Sequence, residues 1–313
     1  MSNYIVTGGA GFIGHHLVNR LIADGHRVCV FDNFSRGRLE RVNPEAELWR
    51  QDITKKMSPN ILDKYRDGIF HLAALARVPF SLEYPLESNN ANVVGTLNIL
   101  ESARKVGIKN IVFSSSSSVY GDGMKYRKQL SEEDELNPIS PYALQKLMGE
   151  QYCNLYSQIY GMKTLALRYF NVYGSGSKMS DAYTPIITLF LDQCKNNKPL
   201  TITGDGEQTR DFTHVDDVVE ANIKSMERIT GLQDPTFDVL NIGAGNNHSI
   251  NELAHLFNGS KISYIEERLE PKNTLANNCK AKEVINWSPK RNFKESVLEL
   301  IQQEIGEKGH EKN

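Results

Sequence analysis

Short apolar runs alternate with longer amphipathic stretches through the first half of the chain. Tyr4–Thr7, Arg27–Phe31, Glu47–Arg50, Gly68–Leu72, Asn110–Ser114 and Lys163–Leu167 read as strands. Helical periodicity covers Phe12–Ala23, a short stretch near Asn60–Tyr65, a long one around Asn89–Lys105, and Pro141–Tyr160. Strands alternating with helices predict βαβ units and a parallel sheet. Right-handed crossovers then place helices on both faces, a doubly wound sheet. Past Gly174 the pattern changes. Gly174–Asp181 is rich in Gly and Ser and reads as a loop. Beyond it, helical patterns (Pro185–Asn196, Val215–Ile229, Ile250–Phe257, Phe293–Glu304) mix with isolated strands (Leu200–Thr203, Phe237–Asn241, Ile262–Tyr264). The expected class is therefore α/β, with a main unit over 1–174 and a smaller α+β part over 175–313. No Pro/Gly-rich linker separates the two, so they are expected to pack closely around a cleft, with the chain crossing between them.

Composition narrows the function. The 313 residues carry a net charge of -2, with 40% hydrophobic and 24% charged residues. A nucleic-acid-binding domain would show a strongly basic stripe, so no nucleic-acid partner is expected. Cys29, Cys153, Cys194 and Cys279 are scattered, with no CxxC pair and no His cluster nearby. They read as reduced thiols, and no metal site is expected. No run of about 20 apolar residues is present, so no membrane span is expected. No basic segment followed by an apolar one precedes the first strand, which predicts a cytoplasmic protein without a secretory signal.

The first strand runs into Gly8-Gly9-Ala10-Gly11-Phe12-Ile13-Gly14, after which a helix begins. Small residues permit a tight turn and let backbone approach a pyrophosphate. The helix N-terminus then supplies N–H groups and partial positive charge. The strand–loop–helix setting lifts this motif above a lone glycine pattern. Asp32 closes the second strand, where a carboxylate accepts hydrogen bonds from ribose hydroxyls and repels a 2′-phosphate; NAD is therefore expected in preference to NADP. Asp52-Ile53 follows the third strand, where a side chain can meet the adenine. The small residues of His71-Leu72-Ala73-Ala74 leave room for a cofactor.

Tyr142 and Lys146 are four residues apart on a predicted helix, one turn apart on one face. A phenol with a pKa near 10 is a poor base at neutral pH. A neighbouring ammonium stabilises the phenolate and makes the pair a usable acid/base. Phe113-Ser114-Ser115-Ser116-Ser117-Ser118-Val119-Tyr120-Gly121 ends a strand, where ligands bind in parallel sheets. A hydroxyl there can hydrogen-bond a reacting oxygen.

Together these motifs resemble the extended short-chain dehydrogenase/reductase family, specifically its nucleotide-sugar epimerase/dehydratase group. The resemblance spans nearly the whole chain. It also rests on Arg168-Tyr169-Phe170-Asn171-Val172-Tyr173-Gly174 and Arg210-Asp211-Phe212-Thr213-His214-Val215-Asp216-Asp217. It implies a Rossmann-type sheet holding NAD and a C-terminal part holding a nucleotide sugar. It implies Tyr142 as the base, Lys146 also on the nicotinamide ribose, and Ser116 as the hydroxyl partner, counted back from Val119-Tyr120-Gly121. Gly8, Gly11, Phe12, Ile13, Asp32, Asn33, Asp52, Ile53, Leu72, Ala73, Ala74, Asn92, Ser114 and Tyr169 are the further cofactor-side positions. Asn171, Arg210, Arg268 and Thr274 join Ser116 and Tyr142 on the substrate side. Arg210 matches a diphosphate-binding arginine; the segment bearing Arg268 is one residue shorter than the pattern. The group is commonly dimeric through two helices per subunit, so a homodimer through the helices around Asn89–Lys105 and Pro141–Tyr160 is expected.

The resemblance implies transient oxidation at C4 of the sugar, a 4-keto intermediate, and return of hydride to the other face. Several readings compete with epimerisation. A 4,6-dehydratase has an Asp-Glu pair after its catalytic hydroxyl, where this chain has Ser117 and Ser118, and a uronate decarboxylase has an acidic residue at the second position. A non-catalytic NAD-binding regulatory module would have lost the tyrosine, which is intact here. Thr274 falls where a bulky Tyr accompanies plain hexoses and a smaller residue admits a 2-acetamido group. The expected substrates are thus UDP-N-acetylglucosamine and UDP-N-acetylgalactosamine, with UDP-glucose and UDP-galactose also open.

Overall fold

The computed structural model describes residues 1–122, 129–177, 185–267 and 271–306. In chain order, the first half contains β1 (Asn3–Thr7), α1 (Phe12–Ala23), β2 (Arg27–Asp32), β3 (Glu47–Arg50), α2 (Pro59–Leu62), β4 (Gly68–His71), α3 (Val78–Glu83), α4 (Pro85–Asn89), α5 (Gly95–Val106), β5 (Asn110–Ser116), α6 (Pro141–Tyr160) and β6 (Lys163–Tyr169). The second half contains β7 (Val172–Tyr173), α7 (Ile186–Lys195), β8 (Leu200–Thr203), β9 (Thr209–Asp211), β10 (Thr213–His214), α8 (Val215–Thr230), β11 (Thr236–Ile242), β12 (Asn247–Ser249), α9 (Ile250–His255), β13 (Ile262–Ile265), α10 (Cys279–Ile285) and α11 (Phe293–Ile305).

Seven strands form one sheet in the order β11-β6-β5-β4-β1-β2-β3, and every pairing in it is parallel. This is the doubly wound Rossmann-type order, extended by β11. Both faces are apolar because both are covered. Tyr4, Val6, Val28, Val30, Phe70 and Val112 pack with Leu17 and Leu21 of α1 and Val218 of α8. The alternate residues Ile5, Cys29, Phe31, Ile69, Ile111 and Phe113 pack with Ile99 and Leu100 of α5 and Cys153 and Tyr156 of α6. A separate core beside the sheet gathers Phe190, Leu200, Ile202, Phe212, Leu253, Phe257, Val297 and Leu300. There β8 and β13 pair in parallel.

Three differences from the sequence reading matter. The strand expected at Phe237–Asn241 within the smaller part spans Thr236–Ile242 and is the edge of the main sheet, paired with β6. The chain thus returns to the first unit, and α8 covers that sheet's face too. The long helix around Asn89–Lys105 is three pieces, α4 and α5 joined by a π-helical turn at Asn90–Val94. The short helix near Asn60–Tyr65 instead runs from Pro59 to Leu62. Among the described residues no helix is long and apolar enough to cross a membrane.

Candidate active site

The sheet order reverses between β1 and β4, and a crevice opens where their carboxyl ends diverge. Gly8 starts the turn out of β1 with φ 71°, and its N–H donates to Phe31 O at 2.7 Å. A Cβ on Gly8 would lie 2.8 Å from Ala73 N, and one on Gly14 would lie 2.1 Å from Gly8 O. Glycine is therefore required at both positions for the loop to fold back on β4. Gly11 precedes α1 with no side-chain cap, so the first-turn N–H groups at Phe12 and Ile13 are left for a ligand. The groove beyond has a cavity volume of about 220 Å³ and is lined by Gly8, Gly11, Asp32, Asn33, Asp52, Ile53, Leu72, Ala73 and Ala74, among others.

Asp32 ends β2 and is buried, which raises its carboxyl pKa against two backbone N–H groups that lower it. Ala10 N donates to Oδ2 at 3.0 Å and Phe34 N to Oδ1 at 2.8 Å. The carboxylate is thus locked to the glycine loop while still facing the groove. The close-approach glycines, the uncapped helix start and an acidic group 24 residues past Gly8 together fit a dinucleotide. Ala91 and Asn90 also line the groove, whereas Asn92, expected there, turns inward to Leu75 and Gln145.

Tyr142 enters at the first turn of α6. Ser140 caps that helix by accepting from Ala143 N, and Pro141 fits its first position. Burial pushes the Tyr142 phenol up to about 12, and a hydrogen bond with Ser116 pulls in the opposite direction. Lys146, one turn on, is buried as well. Its ammonium lies 5.9 Å from the centre of the Tyr142 ring and donates to Ser114 O at 2.6 Å. Burial lowers its pKa to about 8, partly offset by Glu150. The serine run sorts itself by position. Ser116 is the hydroxyl at Tyr142, Ser114 Oγ meets Tyr169 OH at 3.0 Å, and Ser115 Oγ donates to Glu150 at 2.5 Å. Tyr169 OH in turn donates to Asn222 at 2.9 Å, so the Ser114 hydroxyl is held by an interior chain through Tyr169.

Of the remaining substrate-side positions, Asn171 and Thr274 meet. Ser116 sits opposite Tyr169 in the β5–β6 register, which puts Asn171 just past the same sheet edge. Asn171 takes a positive φ of 20°, and its side-chain oxygen accepts from Thr274 Oγ1 at 3.3 Å. Thr274 Oγ1 also accepts from Asp211 N at 3.2 Å. Arg210 contributes to a second pocket with Thr203, Gly204, Asp205, Gln208, Lys272 and Asn273, and its guanidinium donates to Thr209 O at 3.0 Å. Arg268 lies outside the described residues.

Residues to which no role was assigned from sequence hold this assembly together. Glu150 and Arg168 form a buried bidentate pair, Nε to Oε1 at 2.9 Å and Nη2 to Oε2 at 2.8 Å. Arg168 also donates to Tyr120 OH at 2.8 Å, and that phenol donates to Asn241 at 2.7 Å. Asp211 accepts from Ala244, Gly245 and Ala276 N–H groups at 2.7 to 3.0 Å, fastening the turn after β11 to the Thr274 loop. Burial raises its pKa to about 6. Glu150 was readable, since it follows Lys146 by four residues on one helical face. Asp211 stands in the motif that begins at Arg210, but the sequence did not reveal its role, because its partners are backbone groups of distant loops.

Comparison with known proteins matches residues 4–243 to the family described as NAD dependent epimerase/dehydratase. A putative UDP-glucose 4-epimerase of Methanocaldococcus jannaschii is 36% identical over 95% of this chain and 96% of its own length. A UDP-N-acetyl-alpha-D-glucosaminuronate decarboxylase of Bacillus cytotoxicus is 34% identical over 95% and 96%. The UDP-N-acetylglucosamine 4-epimerase of Methanobrevibacter ruminantium, solved in complex with UDP-N-acetylmuramic acid, superposes with a TM-score of 0.89 at 35% identity, covering 96% of this chain and 97% of that one.

Proposed function

Because the chain belongs to the NAD-dependent epimerase/dehydratase family, we propose that it inverts C4 of the hexose of a nucleotide sugar. The substrates proposed are UDP-N-acetylglucosamine and UDP-N-acetylgalactosamine, with UDP-glucose and UDP-galactose also accepted. The observation that carries this reading is the Ser116–Tyr142–Lys146 group at the end of β5, followed by serines at 117 and 118. NAD is the cofactor of the family, and the groove fits it: Gly8 and Gly11 to the pyrophosphate, Asp32 to the adenosine ribose, and Ile53 and Ala73 to the walls.

Bound in this groove, NAD would supply the hydride acceptor and donor for C4. The residues do the proton work. Tyr142 removes the 4-hydroxyl proton, and Ser116, hydrogen-bonded to the phenol, also hydrogen-bonds the sugar oxygen. Lys146 stabilises the phenolate, which burial alone disfavours. The resulting 4-keto sugar rotates, and Tyr142 returns the proton to the opposite epimer. Asn171 and Arg210 orient the nucleotide sugar, the arginine as a diphosphate clamp.

Decarboxylase and dehydratase chemistry is disfavoured by the same geometry. Each needs carboxyl groups to move protons at neighbouring carbons. Ser117 and Ser118 cannot ionise to do so near neutral pH, and Ser118 Oγ is buried without a hydrogen-bond partner among the described residues. Thr274 is small and its hydroxyl donates to Asn171, which supports the reading that a 2-acetamido group is admitted there. An apolar stripe on α6, Leu144, Met148, Leu155 and Ile159, is between 40% and 60% exposed. We assign it to a homodimer contact with a second copy of this chain; a monomeric mass by light scattering would oppose that.

The deciding experiment mixes purified protein with UDP-N-acetylglucosamine and follows the anomeric protons by NMR. New signals of UDP-N-acetylgalactosamine support the proposal, and none over hours overturns the acetamido assignment. Parallel runs with UDP-glucose and UDP-glucuronate separate a wrong sugar from a wrong reaction.

A further inference from the structure

A continuous buried hydrogen-bond network runs beneath the dinucleotide groove, and every proton in it can be placed. Thr96 Oγ1 donates to Asn92 O at 2.7 Å, so it must accept from His71 Nε2, 3.0 Å away. His71 is therefore the Nε2–H tautomer, and its bare Nδ1 accepts from Thr7 Oγ1 at 2.7 Å. Thr7 Oγ1 in turn accepts from Leu72 N at 3.2 Å and Ala73 N at 3.1 Å. Complete burial keeps the imidazole neutral, with its pKa lowered to about 3.

The second half of the network starts at the side chain of Asn92. Its oxygen accepts from Leu75 N at 2.7 Å, which fixes the amide orientation. Its nitrogen then donates to Leu75 O at 3.2 Å and to Gln145 Oε1 at 2.8 Å. Ser88 Oγ donates to the same Gln145 oxygen at 2.6 Å. Gln145 is 3% exposed and lies between Tyr142 and Lys146 in sequence on α6. The π-helical turn Asn90–Val94 inserts Asn92 into this position; such turns are frequent where function demands an irregular helix. Leu72, Ala73 and Leu75 line the groove, but Gln145 and Asn92 do not.

We propose that Gln145 is a positioning residue: through Asn92 it ties the Tyr142–Lys146 segment of α6 to the Leu72–Leu75 turn that floors the dinucleotide groove. Cofactor binding and placement of the catalytic pair then draw on one set of hydrogen bonds. This rests on the NAD-dependent reading above. Because Gln145 does not line the groove, it can alter NAD affinity only through its partners.

The test is a double-mutant cycle on NAD affinity, measured by titration calorimetry on nucleotide-free full-length protein. Gln145→Leu is expected to weaken NAD binding about fivefold and Asn92→Ala about tenfold, with the double variant no weaker than Asn92→Ala alone. With a nucleotide sugar, Gln145→Leu is expected to lower kcat about tenfold while KM for the sugar stays within about twofold. Unchanged NAD affinity in Gln145→Leu, or full additivity in the cycle, overturns the proposal. Should Gln145→Leu not fold, Ser88→Ala decides. It removes one of the two donors to Gln145 without a large cavity, and NAD affinity lowered by about twofold supports the coupling while no change overturns it. A wild-type protein that turns over no nucleotide sugar, yet shows the non-additive cycle, would refute the proposed reaction and leave the coupling standing.

Discussion

The Lys146 ammonium donates to the carbonyl oxygen of Ser114 at 2.6 Å, so a helix side chain is fastened to the last buried turn of the strand that carries the serine partner of Tyr142. The two elements that carry the proposed catalytic residues, α6 and β5, are thus registered to one another by Lys146 itself. The lysine is held in place at an electrostatic disadvantage, since burial depresses its pKa from 10.5 to about 8.

That depression has a stability consequence with a definite sign. Between about pH 8 and 10.5 the unfolded lysine holds a proton that the folded one has released, so stability contributed by this site rises with pH across that window. Below it, the buried ammonium costs up to about 3 kcal/mol, partly offset by the bond to Ser114. Lys146→Met should therefore lose about 10³-fold in kcat while its Tm at pH 7 equals or exceeds that of the wild type. The difference in Tm should shrink at pH 10. Calorimetric scans at both pH values check this, and a variant clearly less stable at pH 7 contradicts it.

The serine run offers a test in which neighbours behave differently. Ser116→Ala should reduce kcat by about 10- to 100-fold with little effect on Tm, because its hydroxyl serves Tyr142. Ser115→Ala should instead leave kcat near normal and lower stability by about 1 to 2 kcal/mol, because it removes a donor from the buried Glu150. Tyr142→Phe should lose about 10³-fold or more. Steady-state rates and urea unfolding on the three variants separate the roles, and an inactive Ser115→Ala with an active Ser116→Ala would move the catalytic hydroxyl by one residue.

Breaking the Glu150–Arg168 pair from either side should be severe. Arg168→Met leaves a carboxylate buried at 1% exposure beside a lysine and without its bidentate partner. The expected loss is about 3 to 5 kcal/mol, far more than for an exposed pair such as Arg66–Asp63. The double change Glu150→Gln with Arg168→Met should recover most of that loss. Denaturant midpoints of the single and double variants measure it.

Asp32 is the residue proposed to set the dinucleotide preference. Asp32→Ser keeps an acceptor near Ala10 N and Phe34 N but removes the charge that repels a 2′-phosphate. Affinity for NAD should fall by about tenfold while NADP binding becomes measurable. Unchanged discrimination against NADP would place the selecting charge elsewhere in the groove.

The six strands of the first half were legible because a sheet buried on both faces writes itself as short, continuous apolar runs. Ser116 could be placed by counting back from Val119-Tyr120-Gly121, since a strand end and the 3₁₀ turn after it keep a fixed spacing. The segment 78–94 was not legible in the same way. Its helices α3 and α4 open next to Pro79 and at Pro85, carry few periodic apolar positions, and lead into a π-helical turn that breaks the 3.6-residue repeat. Asn92 was assigned to the cofactor by the family resemblance, whereas the structure turns it toward Gln145. Strand β11 was read as part of the smaller unit because local pattern does not report the partner of a strand; only the pairing with β6 shows that the chain has returned.

Thr274 gives the sharpest test of which sugar is used. Its hydroxyl accepts from Asp211 N and donates to Asn171, so the residue is fixed at the sheet edge beside Ser116 by polar contacts. Thr274→Tyr replaces a compact side chain with one large enough to occupy the space proposed for a 2-acetamido group. It also removes the two hydroxyl contacts, which should cost about 1 to 2 kcal/mol of stability. Turnover of UDP-N-acetylglucosamine should fall by about 10²-fold or more in kcat/KM, while UDP-glucose loses less than about tenfold. The ratio of the two kcat/KM values is the decisive quantity, because general loosening of the site lowers both together. A parallel fall in both substrates would mean that Thr274 acts on Asn171 placement alone and that the acetamido group is accommodated elsewhere.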